Sequence, residues 1–590
     1  MENRVETFLE GTFKLRRNEG CDKVRSLEEA IRCHVEPGMK LHIREGAGAA
    51  AREVLRQFWG RAPGFTLITS VLPLYGIGMI HGGLLKKVIT TLCAEGHPAL
   101  RPARVVQRAY AEGKIEIENW SLYSFVQRLM GGAFGVGFMP TKSIMGSSMA
   151  EENGDSFRVI EDPFGSRKKL GLVKALNPDL SLAHGWVADR YGNTIIGPAK
   201  STGEGAWGPK ASLKGVVVTV ERLVSTDFIR RHSFLVDIPG SMVLSVSVCP
   251  MGAHPGCLVN PGLKGVEAYK EDYPFQEEEQ TASRDRTRLD SWIKQWILDC
   301  PSHDDFLKKL GTRKRASLKE PAKKNLWKGD LKKVSVSPVV NERVNPKEQM
   351  ILAAARKIRE KVLEFGYKTI LVGAGIATLA GWIAYYQLKE RAYDVHLLLG
   401  SGFWGYAPRP GNPAILSLPT AATCKMMTDV VDAYGVLVGR DNSQCLAVLG
   451  GGEIDRQGNI NSTKIPGRLY LSGAGGGNDA VNAVEVVVVM NQATNRFVEK
   501  VAYISCPGDR VKTVVSDFGI FEKTGDDSDL ILTGCLTNPE IPAQDDPIQA
   551  IKNKCGWALK VSPFLEVIPG PDQEELMVLR TFDPKGYFRV

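Results

Sequence analysis

The chain has 590 residues, too many for one hydrophobic core, so at least two domains are expected. Its 43% hydrophobic and 24% charged residues are ordinary for a globular protein. The formal net charge of +9 is concentrated: between Arg313 and Lys333 nine basic residues stand against Glu320 and Asp330, with no aromatic interleaving or reader motif, which argues against a nucleic-acid partner.

In chain order, the opening MENRVETFLEGTFKLRRNEG lacks the basic-then-apolar pattern of a secretory signal. GVVVTVERLVS from Gly215 reads as a buried strand. Leu289, Trp292, Ile293, Trp296 and Ile297 fall on one face of a helix that closes the first half. The basic stretch that follows, with its proline, glycine and weak periodicity, reads as a solvated linker over 312–347. PKEQMILAAARKIREKVLEFG then predicts a helix ending at Gly366, and YKTILVGAG a strand after it. The most apolar run, Ile370 to Tyr386, is short for a membrane span and rich in small residues, so no membrane segment is expected. HLLLGSGFWG from His396 reads as a buried strand delivering a tight loop, and AVEVVVVM from Ala483 as another strand. Helical and β-branched stretches alternate in both halves, which predicts α/β domains around mostly parallel sheets. The eleven cysteines and nine histidines show no metal-ligand or disulfide spacing, so no metal is expected and a reducing cytoplasm fits.

Two further patterns stand out. VADRYGNTII at Val187 and EIDRQGNINS at Glu453 share Asp-Arg-x-Gly-Asn, one copy per half, which suggests two related domains of about 240 residues. YLSGAGGGNDAVN at Tyr470 places Gly473, Gly475, Gly476 and Gly477 between a strand and the helix-capping Asn478-Asp479. Such a run lets backbone amides approach a ligand, and amides at a helix start can hold a phosphate or a developing oxyanion. The alternative is a tight strand-to-helix turn, at a high cost in conformational entropy.

These stretches carry a resemblance that covers nearly the whole chain. RLMGGAFGVGFMPTKS at Arg128, VADRYGNTIIGPA, VVVTVERLV, PMGAHPG, EIDRQGNINST, SGAGGGND, VVSDFGIFE and the terminal GWALKVSPFLEVIPGPDQEELMVLRTFDPKGYF are similar to the two subunits of a family I CoA-transferase of the glutaconate CoA-transferase type. The resemblance implies a fusion: a domain like the first of those subunits over 1–311, the basic linker over 312–347 and a domain like the second over 348–590. It also implies an acyl-CoA substrate bound between two α/β domains, no tightly bound cofactor, and Gly402, Gly473, Gly475, Gly476, Gly477 and Asn478 as oxyanion or CoA-binding positions. Pairing of fused chains into a homo-oligomer stays open.

One position departs from the pattern. In transferases of this family a strand ends in Glu-x-Gly, and the glutamate attacks the thioester. Here LLLGSGFWG places Gly400 at the glutamate and Gly402 at the following glycine, and a glycine cannot be a nucleophile. Two related branches are said to lack the glutamate, a steroid-ring-opening CoA hydrolase and methylglutaconyl-CoA decarboxylase. By resemblance to the hydrolase, Glu118 or Asn119 in IEIENWSLYSFVQR takes a catalytic place, and only Glu118 could move a proton. Glu45 is a weaker candidate, His254 reads as a structural turn histidine, and Arg128 could hold a substrate anion or a structural ion pair. Three functions follow: an acyl-CoA hydrolase or lyase cleaving a carbon–carbon bond, a CoA-transferase using another carboxylate, and a silent CoA-thioester binding protein.

Overall fold

The computed structural model of the chain describes residues 2–96, 100–166, 168–197, 203–259, 262–319, 343–411, 418–525, 528–538 and 546–590. Two sheets organise it. In the first, strands run in the order Val243–Val248, Val216–Val224, Leu180–Asp189, Lys40–Ile43, Phe65–Ile68, Leu85–Thr90 and Glu116–Asn119, every neighbouring pair parallel. In the second, the parallel centre runs Val511–Val515, Glu485–Val489, Cys445–Leu449, Thr369–Val372 and His396–Leu399, with antiparallel strands beyond both sides of it.

Five strands of each sheet correspond in order. Val243–Val248, Val216–Val224, Leu180–Asp189, Lys40–Ile43 and Phe65–Ile68 of the first half match the five parallel central strands of the second, in the same sequence of neighbours. The shared Asp-Arg-x-Gly-Asn turn is built identically in each. Asp189 accepts from the Tyr191 and Asn193 N–H groups and from Asn193 Nδ2; Asp455 accepts from the Gln457 and Asn459 N–H groups and from Asn459 Nδ2. Gly192 and Gly458 both take positive φ, +98° and +81°. Asn193 Oδ1 accepts from the Gly240 N–H and Asn459 Oδ1 from the Gly508 N–H, so each turn clamps the loop entering the strand that starts at Val243 or Val511. The two halves are related α/β domains with mostly parallel sheets.

The predicted helix after the basic stretch spans Pro346–Phe365. Asn345 caps it by accepting from the Glu348 N–H, Pro346 occupies the first turn, and Gly366 ends it at φ +71°. Its apolar stripe, from Met350 and Ile351 to Ile358 and Val362, is buried on the second sheet. The predicted helix through Leu289 is α-helical over Arg286–Ile293 and widens to a π turn over Lys294–Leu298, with Leu289, Trp292, Ile293 and Ile297 still buried.

The expected linker is not solvated throughout. Thr312–Lys319 is a helix whose Leu318 is buried in the first core and whose Lys314 pairs with the buried Asp272 at 2.6 Å. The weak periodicity hid this, because one apolar anchor, the Lys314–Asp272 and Lys319–Glu267 ion pairs and a backbone bond from Lys270 to Leu318 hold the segment. Residues 320–342 of the linker lie outside the described residues. Among the described residues no helix is long and apolar enough to cross a membrane.

Asp455→Ala would strand two backbone N–H groups and the Asn459 amide inside the turn. The expected loss is about 1–3 kcal/mol, with a similar loss for Asp189→Ala, read as lower midpoints in urea unfolding.

Candidate active site

The glycine-rich segment after Tyr470 lies on the first half and holds the two halves together. The Cys93 N–H donates to the Ser472 carbonyl (2.6 Å), the Gly475 N–H to the Thr91 carbonyl (2.9 Å), and the Leu122 N–H to the Gly475 carbonyl (2.9 Å). A Cβ on Gly473 would lie 2.3 Å from the Thr91 oxygen, so only glycine lets these backbones meet. Asn478 Oδ1 accepts from the Ile144 N–H (2.7 Å) and its Nδ2 donates to the Ser505 carbonyl (2.8 Å).

Asp479 completes the join. Its carboxylate accepts from the Tyr123 N–H (2.9 Å) and from Ser143 Oγ (2.6 Å). Tyr123 lies in the first turn of the helix Leu122–Phe134, where an anion is favoured by free N–H groups and the helix dipole. Burial nevertheless pushes the Asp479 carboxyl up to about 6, against those hydrogen bonds.

Most of the amides expected to face a ligand are therefore engaged within the protein. The Gly473 N–H donates to the Ser462 carbonyl and the Gly477 N–H to the Ala474 carbonyl, besides the Gly475 bond across the join. Gly402, at φ +96°, turns the chain between His396–Leu399 and Phe403–Tyr406, donates to the Leu399 carbonyl and packs on the Thr428 backbone. In this structure Gly402, Gly473, Gly475, Gly477 and Asn478 serve turn and interdomain contact.

Gly400 and Gly476 are different. A Cβ on either would lie 1.8 Å from the hydroxyl of Tyr434, which is wedged between them. Tyr434 is buried, on the π-helical segment Val431–Val438. The next residue, Gly435, has the Tyr123 hydroxyl 2.6 Å from its own Cβ position. Tyr123, Gln127, Lys142, Ser143, Tyr434 and Asp479 line a cavity of about 410 Å³ between the halves. Its rim carries Lys142, paired with Asp441 at 2.9 Å. Tyr434 lay hidden in the sequence because VDAYGVLVGR reads as an apolar core stretch. The run of glycines was the available signal for a close approach, without saying what approaches.

Neither Glu118 nor Glu45 lines this cavity. Glu118 pairs with Lys87 (2.6 Å) and Arg128 (2.7 Å) and accepts from Trp120 Nε1 (2.7 Å), while the Arg128 guanidinium lies 4.2 Å from the centre of the Trp120 ring. Burial would raise the Glu118 carboxyl, but the Arg128 charge and the Lys87 and Trp120 hydrogen bonds outweigh it and hold it below the usual range. That suits a permanently charged anchor better than a proton carrier, and it makes Arg128 half of a structural pair. Asn119 is fully buried, and its Oδ1 accepts from the Tyr470 hydroxyl across the join. The Glu45 carboxyl is raised by burial, beside Glu204, which is raised to about 7 and accepts from the Glu45 N–H (2.9 Å). His254 bonds Asp272 at 3.0 Å among Phe275 and Phe306, a structural role. Among the described residues no group of His, Cys, Asp and Glu could hold a metal ion.

Glu118→Gln would leave Arg128 buried without its counter-charge. A loss of about 3 kcal/mol is expected at neutral pH. The difference from wild type should be present above the unfolded carboxylate range near 4.5 and vanish as pH falls through the lower folded value, read by denaturation at several pH values.

Residues 24–248 match the family model described as Coenzyme A transferase. The first of the two subunits of glutaconate CoA-transferase from Acidaminococcus fermentans is 28% identical over 328 residues, covering 50% of this chain and 94% of that protein. The second of the two subunits of 3-oxoadipate CoA-transferase from Pseudomonas knackmussii is 27% identical over 260 residues, covering 40% of this chain and 93% of that protein. An acyl-CoA transferase from E. coli O157:H7, solved as a thioester complex with CoA, shares the fold at a TM-score of 0.63 and 15% identity, covering 95% of this chain and 98% of that one. Similarity to both subunit types therefore falls on one polypeptide built from two related α/β domains, with the coenzyme A transferase model matching within the first of them.

Proposed function

We propose that the chain acts on acyl-CoA thioesters in the cavity between its halves, cleaving a carbon–carbon bond of an oxo- or dicarboxylic acyl group by hydrolysis or decarboxylation, with no covalent enzyme intermediate. The observation that carries this reading is Gly400. It ends the strand His396–Leu399 where the family resemblance places a nucleophilic glutamate, and the space beside it is taken by the Tyr434 hydroxyl. Without a carboxylate there, neither an acyl anhydride nor an enzyme-bound CoA ester can form at that position. Breaking a bond next to a thioester carbonyl calls for fixed donors that stabilise the resulting enolate, and the hydrolytic route also takes up water at the departing carbonyl; neither requires a carboxylate nucleophile on the enzyme. Glu118, tied into its ion pairs, and Asn119, tied to Tyr470, support the active-site wall in this reading rather than attack the substrate.

The test is incubation of the full chain with a panel of CoA esters, with and without isotopically labelled carboxylic acids as acceptors. Release of a shortened or ring-opened acyl product without an acceptor is expected. Transfer of CoA to the labelled acid would overturn the proposal in favour of a transferase using another carboxylate, and binding without turnover would favour a silent binding protein. Gly400→Glu alone is expected to form no enzyme-bound CoA ester, because the new side chain meets Tyr434. Gly400→Glu combined with Tyr434→Gly, which opens that space, should form one that borohydride or hydroxylamine traps and mass spectrometry detects.

A further inference from the structure

Tyr434 is held in an unusual way for a core residue. Tyr434 lines the cavity and its ring is buried, yet among the described residues no protein group hydrogen-bonds its hydroxyl. The polar groups around it are already engaged: Asp479 with Ser143 and the Tyr123 N–H, Lys142 with Asp441. The hydroxyl is not among the fully enclosed polar atoms, so a ligand can reach it and supply the partner that the protein does not. The two glycines that admit it tell the same story. Neither Gly400 nor Gly476 adopts the left-handed backbone that would itself call for glycine. At both positions the absent side chain makes room for one atom, Tyr434 Oη, 1.8 Å from either Cβ position.

We propose that Tyr434 is a catalytic residue whose hydroxyl donates a hydrogen bond to the carbonyl oxygen of a bound acyl thioester, and that Gly400 and Gly476 lack side chains to admit it. The inference rests on the cavity being the thioester site. As the neighbouring carbon–carbon bond breaks, the departing carbon leaves as carbon dioxide, or as a carboxylic acid once water has added to its carbonyl; the bond's electron pair moves into the thioester, the carbonyl oxygen becomes an enolate oxygen, and a proton from water then quenches the α-carbon. Tyr434 keeps its proton and strengthens its hydrogen bond to that oxygen, so no oxidant, reductant or covalent adduct is involved. Burial and the nearby Asp479 keep the phenol well above its ordinary range, hence a neutral donor at physiological pH.

The probe is acetoacetyl-CoA, whose enolate has its own near-ultraviolet band. Wild type, Tyr434→Phe and Gly476→Ala are titrated, with binding followed by calorimetry and the enolate by absorbance. Wild type should bind the probe and raise its enolate band. Tyr434→Phe should keep the unfolding midpoint and the affinity while the bound enolate fraction falls about tenfold. Gly476→Ala, whose methyl group displaces the hydroxyl, should lower it likewise. An enolate band that wild type does not raise, or that Tyr434→Phe leaves unchanged, would overturn the inference while leaving the thioester site intact. A lower unfolding midpoint of Tyr434→Phe would make the hydroxyl structural and overturn it too. Failure of wild type to bind the probe would overturn the thioester site itself, and the inference with it.

Discussion

The structure depends on the close approach of two backbones. The Ser472–Gly475 stretch of the second half exchanges hydrogen bonds with Thr91, Leu122 and Cys93 of the first, at distances that a single Cβ on Gly473 would forbid. Because these bonds are short and nearly free of side chains, they fix the relative position of the halves with little slack. Asn478 and Asp479 extend the same join into the loop through Ile144 and the first turn of Leu122–Phe134. The cavity therefore has one wall from each half, held by a continuous set of buried hydrogen bonds whose individual loss would strand a partner.

The same economy of side chains places Tyr434, which lines the cavity. Two glycines at the ends of different segments, Gly400 after a strand and Gly476 before a short helix, converge on one hydroxyl. A carboxylate and a phenol compete for that volume, and only one can be present. In the proposed reading, the phenol stands as a neutral donor where a transferase would keep a charged nucleophile. The likeness to the E. coli acyl-CoA transferase at 15% identity is one of fold.

Much of the architecture was legible in the sequence because it rests on local rules. The Pro346–Phe365 helix announces itself by Asn345, Pro346 and Gly366, and the strands at Val216 and Glu485 by their valine runs. The repeated Asp-Arg-x-Gly-Asn turn was the sign of duplication, since the bonds that shape it join its own Asp to backbone two and four residues on and are legible without the distant loop it also clamps. The site was less legible. A glycine kept free for a ligand and one kept free for a neighbouring carbonyl look alike in sequence, and Gly473 and Gly475 proved to be of the second kind. Glu118 could not be told from a base until Lys87, Arg128 and Trp120 were seen around it, because Lys87 lies on the adjacent strand, outside the local stretch. Tyr434 was hidden by its apolar neighbours, and Thr312–Lys319 by having one buried anchor.

The central claim is that the cavity between the halves is a thioester site with Tyr434 in place of a carboxylate. A crystal structure of the full chain with a thioether analogue of a 3-oxoacyl-CoA tests it most directly. The account predicts the analogue between the halves, with its carbonyl oxygen within hydrogen-bond distance of Tyr434 Oη and its acyl chain in the cavity beside Tyr123. An analogue seated elsewhere, or one whose carbonyl is held at Glu118 or Glu45, would contradict it.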